Sequence, residues 1–258
     1  MVKLAYNANG TGFPIVFLHG FCEDKSIWFP FVEPLLPHHQ IICIDLPNFG
    51  QSPAMPDATV EKMADSVVVT LDSLGVEKCI LVGHSLGGYV GLAIAEFYPE
   101  RLFGMVMFHS TAFEDSPERK QNRHKAMNNI RQNGVDVFVR ALIPSLFAPA
   151  QKQDNHIRTV INNLIESAKN LPPENVIAAV ESMLNRKERT EVLKRVSFPF
   201  LFLVGKEDAA VPLEASLAQC FLPQNSVVYI LADVGHMGMI EAPQEFAKAI
   251  FNFINYCR

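Results

Sequence analysis

Apolar residues along the chain follow two alternating patterns. Short unbroken runs recur at Pro14-Ile15-Val16-Phe17-Leu18, Gln40-Ile41-Ile42-Cys43-Ile44, Cys79-Ile80-Leu81-Val82, Leu102 to Phe108, Phe200-Leu201-Phe202-Leu203-Val204 and Val227-Val228-Tyr229-Ile230-Leu231. Runs of this length bounded by turn residues predict strands buried on both faces. Between them the spacing becomes helical. Positions 60, 63, 64, 67, 68, 71 and 74 form one stripe ending at Gly75, and positions 246, 247, 250, 251 and 254 form another within Pro243 to Tyr256. Leu86 to Tyr98 predicts a helix, and Ser26 to Leu36 a short one capped by Ser26. Residues 3–18 predict a polar hairpin that turns at Asn9-Gly10-Thr11-Gly12 and leads into the first buried strand. Trp28, the only tryptophan, is expected to anchor its helix to the core.

Strands alternating with helices imply an α/β fold: a mostly parallel central sheet with helices on both faces. From about residue 112 to 190 that alternation stops. Charged and amide residues cluster, as in Pro117-Glu118-Arg119-Lys120-Gln121-Asn122-Arg123-His124-Lys125. Val135 to Phe147, Asn155 to Ala168 and Pro173 to Leu184 keep helical spacing, separated by Pro144, Pro149 and Pro172-Pro173. Helices that flank a sheet alternate with strands, so this run predicts an inserted helical cap over residues 112–190. The core domain is then 1–111 and 191–258.

Candidate chemistry lies at the strand ends. Gly83-His84-Ser85-Leu86-Gly87 is a G-x-S-x-G turn between a predicted strand and a predicted helix. It presents a hydroxyl beside the free N–H groups of a helix amino end. Alone it is equally an ordinary tight turn with an exposed Ser. His19-Gly20-Phe21, Asp208 and His236 also follow predicted strands. In a parallel sheet such loops gather beyond the carboxyl ends, so all four should meet on one edge. Gly20 lets the backbone bend so that the Phe21 N–H points toward Ser85. His19 is expected to brace that loop and Asp45 to hold its own. Glu207 and Asp233 are the rival acids near Asp208 and His236. His84 is expected to pack beside Ser85, and His38, His39, His109, His124 and His156 are read as solvated or packing residues.

Composition narrows the classes. The chain has 258 residues, 49% of them hydrophobic, and a formal net charge of −5. No basic stretch suggests nucleic acid as a partner. No apolar run reaches the ~18 residues of a membrane span, and the amino terminus turns polar too early for a signal peptide. Five cysteines without close pairing suggest free thiols, hence a reducing, cytoplasmic location. No metal-ligand spacing and no G-x-G-x-x-G after a strand occur, so neither metal nor cofactor is expected.

With these residues in view, the chain resembles the α/β-hydrolase fold family over nearly its whole length. The order Ser85, Asp208, His236 matches that family's nucleophile, acid and base. Gly205-Lys206-Glu207-Asp208 with Val211-Pro212 resembles its acid loop, and Glu241-Ala242-Pro243 fits after the histidine. Asn48 departs from the Gly common in the Asp-x-x-Gly-x-Gly-x-Ser loop, but Asn also tolerates a left-handed backbone. The resemblance implies that His236 takes the Ser85 proton and Asp208 fixes the imidazole. The Phe21 and Leu86 N–H groups would hold the oxyanion. It implies a serine hydrolase without cofactor, most similar to carboxylesterases such as pimeloyl-acyl-carrier-protein methyl ester esterases, whose Trp after the oxyanion Gly is Phe21 here. The substrate would be a small or medium ester. Phe138, Leu142 and Phe147, with Ile143 and Leu146, are candidate pocket walls, and most of them are expected instead to pack the cap onto the core. Arg131, Arg140, Lys152 and Arg158 could equally meet a carrier protein or form a solvated face. The fold also hosts cofactor-free perhydrolases, lyases and small-molecule receptors. Epoxide hydrolases and haloalkane dehalogenases need Asp where Ser85 stands.

Overall fold

The apolar runs become strands of one sheet in the computed structural model, which describes residues 2–257. Among the described residues the strands are β1 Tyr6–Asn9, β2 Phe13–Leu18, β3 His39–Ile44, β4 Cys79–His84, β5 Leu102–Phe108, β6 Phe200–Gly205 and β7 Ser226–Leu231. They lie in the order β1-β3-β2-β4-β5-β6-β7. Every pairing is parallel except β1 with β3. Parallel neighbours need crossover connections, and helices supply them. The helices are α1 Phe29–Val32, α2 Val60–Ser73, α3 Leu86–Phe97, α4 Pro117–Ser145, α5 Asn155–Ala168, α6 Pro173–Leu184, α7 Thr190–Arg195, α8 Leu213–Cys220, α9 Gly238–Glu241 and α10 Pro243–Tyr256. This is the expected α/β architecture.

β4 and β6 are buried at every position, because helices cover both faces there. β7 lies at the edge and leaves Val227, Tyr229 and Ile230 exposed. Trp28 is fully buried among Phe17, Phe31, Phe108 and His84. The sheet edge that carries the carboxyl ends is set by register: Leu18 opposes Gly83, His84 opposes Phe108, Phe108 opposes Leu203 and Gly205 opposes Leu231.

Two local expectations are corrected. The amino-terminal segment does not form a hairpin onto β2. Its strand β1 pairs with β3, because Gly10 and Gly12 adopt φ of +75° and +101° and carry the chain past β3. The Ser26–Leu36 helix is a succession of short 3-10 and α turns, since Pro30 and Pro34 cannot donate backbone hydrogen bonds. Its first turn is capped by Asp24, not Ser26: the Asp24 carboxylate accepts the Ser26 N–H at 2.8 Å. Val135 to Phe147 is helical as expected, to Ser145; together with a preceding helix from Pro117 it makes up α4, the two halves separated by a break at Gly134, where φ is +82° and ψ is 169°.

Helices α4 to α7 run between β5 and β6 with no strand among them. α4 packs on both α5 and α6. The far end of the segment is tied to the sheet-covering helices by Arg189. Its buried guanidinium donates to Glu61 on α2 at 2.6 Å and Glu96 on α3 at 3.0 Å. Near the start of α4, Arg119 donates to the Ala210 carbonyl.

The loop after β3 is held by Asp45, as expected. Its fully buried carboxylate accepts the Lys25 N–H at 2.7 Å, the Lys25 ammonium at 2.6 Å and the Gln51 N–H at 2.8 Å. Gly50 adopts φ +55°, and a Cβ there would lie 2.3 Å from the Asp45 carboxyl carbon. Asn48 takes φ +75°, the left-handed geometry foreseen for it. Replacing Asp45 by Ala leaves these donors without their acceptor, and hydrogen bonds to charged groups are worth about 1.5–3 kcal/mol. Urea unfolding of Asp45→Ala should therefore show stability lower by about 3 kcal/mol with an unchanged m value. A loss below ~1 kcal/mol would mean that the loop does not depend on this carboxylate.

Candidate active site

Ser85 stands just past β4, at the amino end of α3, with φ +48° and ψ −111°. Such a backbone costs a β-carbon residue strain that only dense surroundings maintain. Here the surroundings are backbone. A Cβ on Gly83 would meet the Gly87 carbonyl oxygen at 2.5 Å, and one on Gly87 would meet the Leu18 carbonyl oxygen at 2.4 Å. The G-x-S-x-G spacing is thus a packing requirement between β2, β4 and α3. The Ser85 N–H donates to the Phe108 carbonyl at 3.0 Å, and its own carbonyl accepts the Ser110 hydroxyl at 2.8 Å.

The loop after β6 carries Asp208, which is 4% exposed, whereas Glu207 is exposed. Asp208 Oδ1 accepts the N–H groups of Ala210 and Val211, each at 2.8 Å. Its Oδ2 lies 2.9 Å from His236 Nδ1 and 3.2 Å from His109 Nδ1. Burial alone would raise the Asp208 pKa. The His236 imidazole and the close approach of His109 outweigh it and hold the carboxyl well below the usual range. Burial pushes His109 down to about 4.

His236 follows β7. Its N–H donates to the Leu146 carbonyl at 2.7 Å. Glu241 fixes the same loop by accepting from Gly235, Met237 and Ala148 at 2.8 to 3.1 Å for the shortest contact of each. Asp233 is exposed and stands apart from this network.

The loop after β2 is braced by two buried groups. His19 Nδ1 donates to the Gly20 carbonyl at 2.7 Å, and its Nε2 accepts the Leu46 N–H at 2.9 Å. Glu23 Oε2 accepts the Gly20 N–H at 2.7 Å and lies 3.1 Å from His84 Nδ1. Burial works against both charges of the Glu23–His84 pair, and their mutual attraction outweighs it. Glu23 is shifted down and His84 up, both in the direction that favours the ionic pair. His84 Nε2 lies 2.9 Å from the His236 carbonyl oxygen. The Phe21 and Leu86 N–H groups have no protein acceptor among the described residues.

Ser85 and His236 share the wall of a cavity of about 80 Å³ with Phe21, Glu23, Tyr89 and Arg123. No hydrogen bond joins Ser85 Oγ to His236 among the described residues. Of the five expected pocket residues, Leu142 and Leu146 line this cavity, beside Met183, which was not expected there. Phe138 instead packs edge-on against Phe21 with ring centres 6.1 Å apart, and Phe147 is 2% exposed in the core. Phe138 lies one helical turn before Leu142 on the same face of α4, and its ring is taken up by Phe21, itself on the cavity wall. A second cleft of about 530 Å³ opens between α5 and the loop after β2, and Glu23 lines both.

Two residues of the site escaped the sequence reading. His109 was expected to be solvated or packing, yet it stands beside Ser85 at the end of the neighbouring strand, with φ +48°, against Asp208. The signal available was its position directly after an apolar run, as for Ser85. Glu23 carried no signal in spacing. His109, Asp208 and His236 also form the described group of potential metal ligands, their donor atoms lying within 4.8 Å of one another. Of the two imidazoles, His236 makes a hydrogen bond to the carboxylate at 2.9 Å, and His109 Nδ1 lies 3.2 Å from the same oxygen. All five cysteines are free. Burial pushes the thiols of Cys43, Cys79, Cys220 and Cys257 up to about 12, which leaves them poor nucleophiles.

Comparison with known proteins agrees with this architecture. The chain is 34% identical to a thermophilic esterase from Thermogutta terrifontis, with a TM-score of 0.92 and coverage of 98% of this chain and 93% of that one. It is 28% identical over 254 residues to the pimeloyl-[acyl-carrier protein] methyl ester esterase of Aeromonas salmonicida, covering 95% and 96% of the two chains. It is 25% identical over 265 residues to the 2-hydroxy-6-oxo-6-(2'-aminophenyl)hexa-2,4-dienoic acid hydrolase of Metapseudomonas resinovorans, covering 98% and 88%. The family model of the alpha/beta hydrolase fold matches residues 14–243. A mostly parallel sheet with its elbow serine, acid loop and histidine loop on one edge, together with that match, means that this chain belongs to the alpha/beta hydrolase fold family.

Proposed function

We propose that this chain is a serine carboxylesterase acting through Ser85, His236 and Asp208. The observation that carries the reading is the 2.9 Å contact of His236 Nδ1 with a buried Asp208, on an imidazole that shares a cavity wall with Ser85. An ionised Asp208 accepts a hydrogen bond from Nδ1–H, which fixes the tautomer and leaves Nε2 as the basic atom. His236 Nε2 then takes the Ser85 proton as Oγ attacks the ester carbonyl. The oxyanion is stabilised by the Phe21 and Leu86 N–H groups, each donor contributing about 3–4 kcal/mol to lowering the barrier. His236 returns the proton to the departing alcohol. Water, deprotonated by the same imidazole, cleaves the acyl-serine and releases the acid.

His109 acts in this reading as a neutral positioning residue. It stands against the same carboxylate oxygen, Oδ2, that faces His236, and restrains the carboxylate. Residues 112–190 act as a cap over Ser85. Support comes from Leu142, Leu146 and Met183, which come from that segment and line the cavity. The small cavity suits a short acyl group, and the neighbouring 530 Å³ cleft offers room for a bulkier half of the ester.

A fluorophosphonate probe should label the native chain and fail to label Ser85→Ala, with nitrophenyl ester turnover lost in parallel. Labelling and turnover that persist in the variant would overturn the assignment. Asp208→Asn should keep the fold and lower kcat by about 10⁴-fold, because the imidazole is held in the wrong tautomer. A loss below tenfold would remove Asp208 from the relay.

The lowered His109 pKa also predicts a pH dependence of stability. Between pH 6.5 and about 4 the unfolded chain binds a proton at residue 109 that the folded chain does not. Stability is therefore lost as pH falls through that window, by on the order of 3 kcal/mol from this group. His109→Gln should flatten this part of the stability–pH curve, measured by urea unfolding. A curve as steep as that of the native chain would show that another group is responsible.

A further inference from the structure

Two arginines converge on one buried carboxylate beside the catalytic cavity. Asp115, just before α4, is 1% exposed. Arg186 Nη2 lies 2.8 Å from its Oδ1, and Arg123 Nε lies 3.1 Å from its Oδ2. Arg186 alone balances the charge of Asp115. Its side chain is 2% exposed and its guanidinium stacks 4.2 Å over the Tyr89 ring. Arg123 is therefore a surplus cation. It lines the cavity that contains Ser85 and His236, and its side chain is 23% exposed. Only its Nε is engaged, so its Nη groups make no protein hydrogen bond among the described residues.

No other group on the cavity wall answers this charge. Glu23 is the one carboxylate there among the described residues, and it is already matched by His84 and the Gly20 N–H. Asp208 lies behind His236 and is not part of the wall. A guanidinium held through Nε by a fixed carboxylate presents its Nη edge in one orientation, which is the geometry that reads a carboxylate. The stack of Tyr89, Arg186 and Asp115 supplies that rigidity before any ligand arrives, so little ordering entropy is lost on binding.

We infer that Arg123 is a specificity-determining residue, and that the substrate is a short ester carrying a free carboxylate, which the Arg123 Nη groups bind while Ser85 attacks the ester carbonyl. The inference rests on the esterase reading given above. The cavity of about 80 Å³ keeps the two groups close, so the carboxylate and the ester are separated by a few carbons. The carboxylate can belong to the acyl half or to the alcohol half of the ester.

The test uses the native chain and four esters in a pH-stat at constant ionic strength. Monomethyl succinate, with the carboxylate on the acyl side, is compared with dimethyl succinate. O-acetylglycolate, with the carboxylate on the alcohol side, is compared with 2-methoxyethyl acetate. One charged ester should exceed its neutral partner at least tenfold in kcat/KM, and which pair shows it identifies the half that carries the acid. Arg123→Gln should reduce that ratio at least tenfold, mainly through KM, and Arg123→Lys should restore part of it. Free succinate should slow fluorophosphonate labelling of the native chain, and succinamide should not. This native-chain result decides the matter if the Gln variant fails to fold. Neutral esters cleaved as fast as both charged ones would overturn the inference and leave the esterase reading standing. A charge preference that survives in Arg123→Gln would overturn it as well. Failure to cleave any of the four esters would overturn the esterase reading and this inference with it.

Discussion

Close backbone contact around one turn governs this molecule. The carbonyl oxygens of Gly87 and Leu18 come within 2.4 to 2.5 Å of where side chains at Gly83 and Gly87 would begin, and Ser85 is held at φ +48° between them. Strands β2 and β4 and helix α3 can only meet this closely without those side chains. The same contact sets the height of Ser85 above the sheet and brings the loop after β2 beside it. His19 then links that loop to the backbone after β3, and Glu23 links it to His84 within the elbow. Strain at one residue is thus maintained by three strands.

Charge is arranged around the same edge in matched sets. Glu23 faces His84, Asp45 faces Lys25, and Asp208 is shared by two imidazoles and two backbone N–H groups. A buried charge without a partner is costly, and each of these is supplied with several. Arg123 stands outside this pattern, since its nearest carboxylate already has a partner in Arg186. An imbalance on the wall of a cavity that holds a serine and a histidine is more informative than any of the balanced pairs.

Much of this was legible in the residues themselves. β5 spans Leu102–Phe108 and the last helix spans Pro243–Tyr256, as their apolar spacing predicted, because a strand buried on both faces and an amphipathic helix leave different periods in sequence. Gly83 and Gly87 marked the elbow because backbone crowding leaves no other residue possible. Where local chemistry competed with a distant partner, the reading failed. Gly10 and Gly12 announced a turn, but the strand before it found β3 rather than β2.

The sequence by itself determined the alternation of strands and helices, the positions of the loops that follow each strand, and the residue types available on them. Period and turn chemistry are properties of neighbouring residues, so they can be read along the chain. Only the tertiary structure decided that His109 lies against Asp208, that Glu23 pairs with His84, and that Arg123 reaches the wall beside Ser85. Those contacts join residues far apart in sequence, and they depend on strand order and on the rotation of α4 about its axis, neither of which leaves a periodic trace.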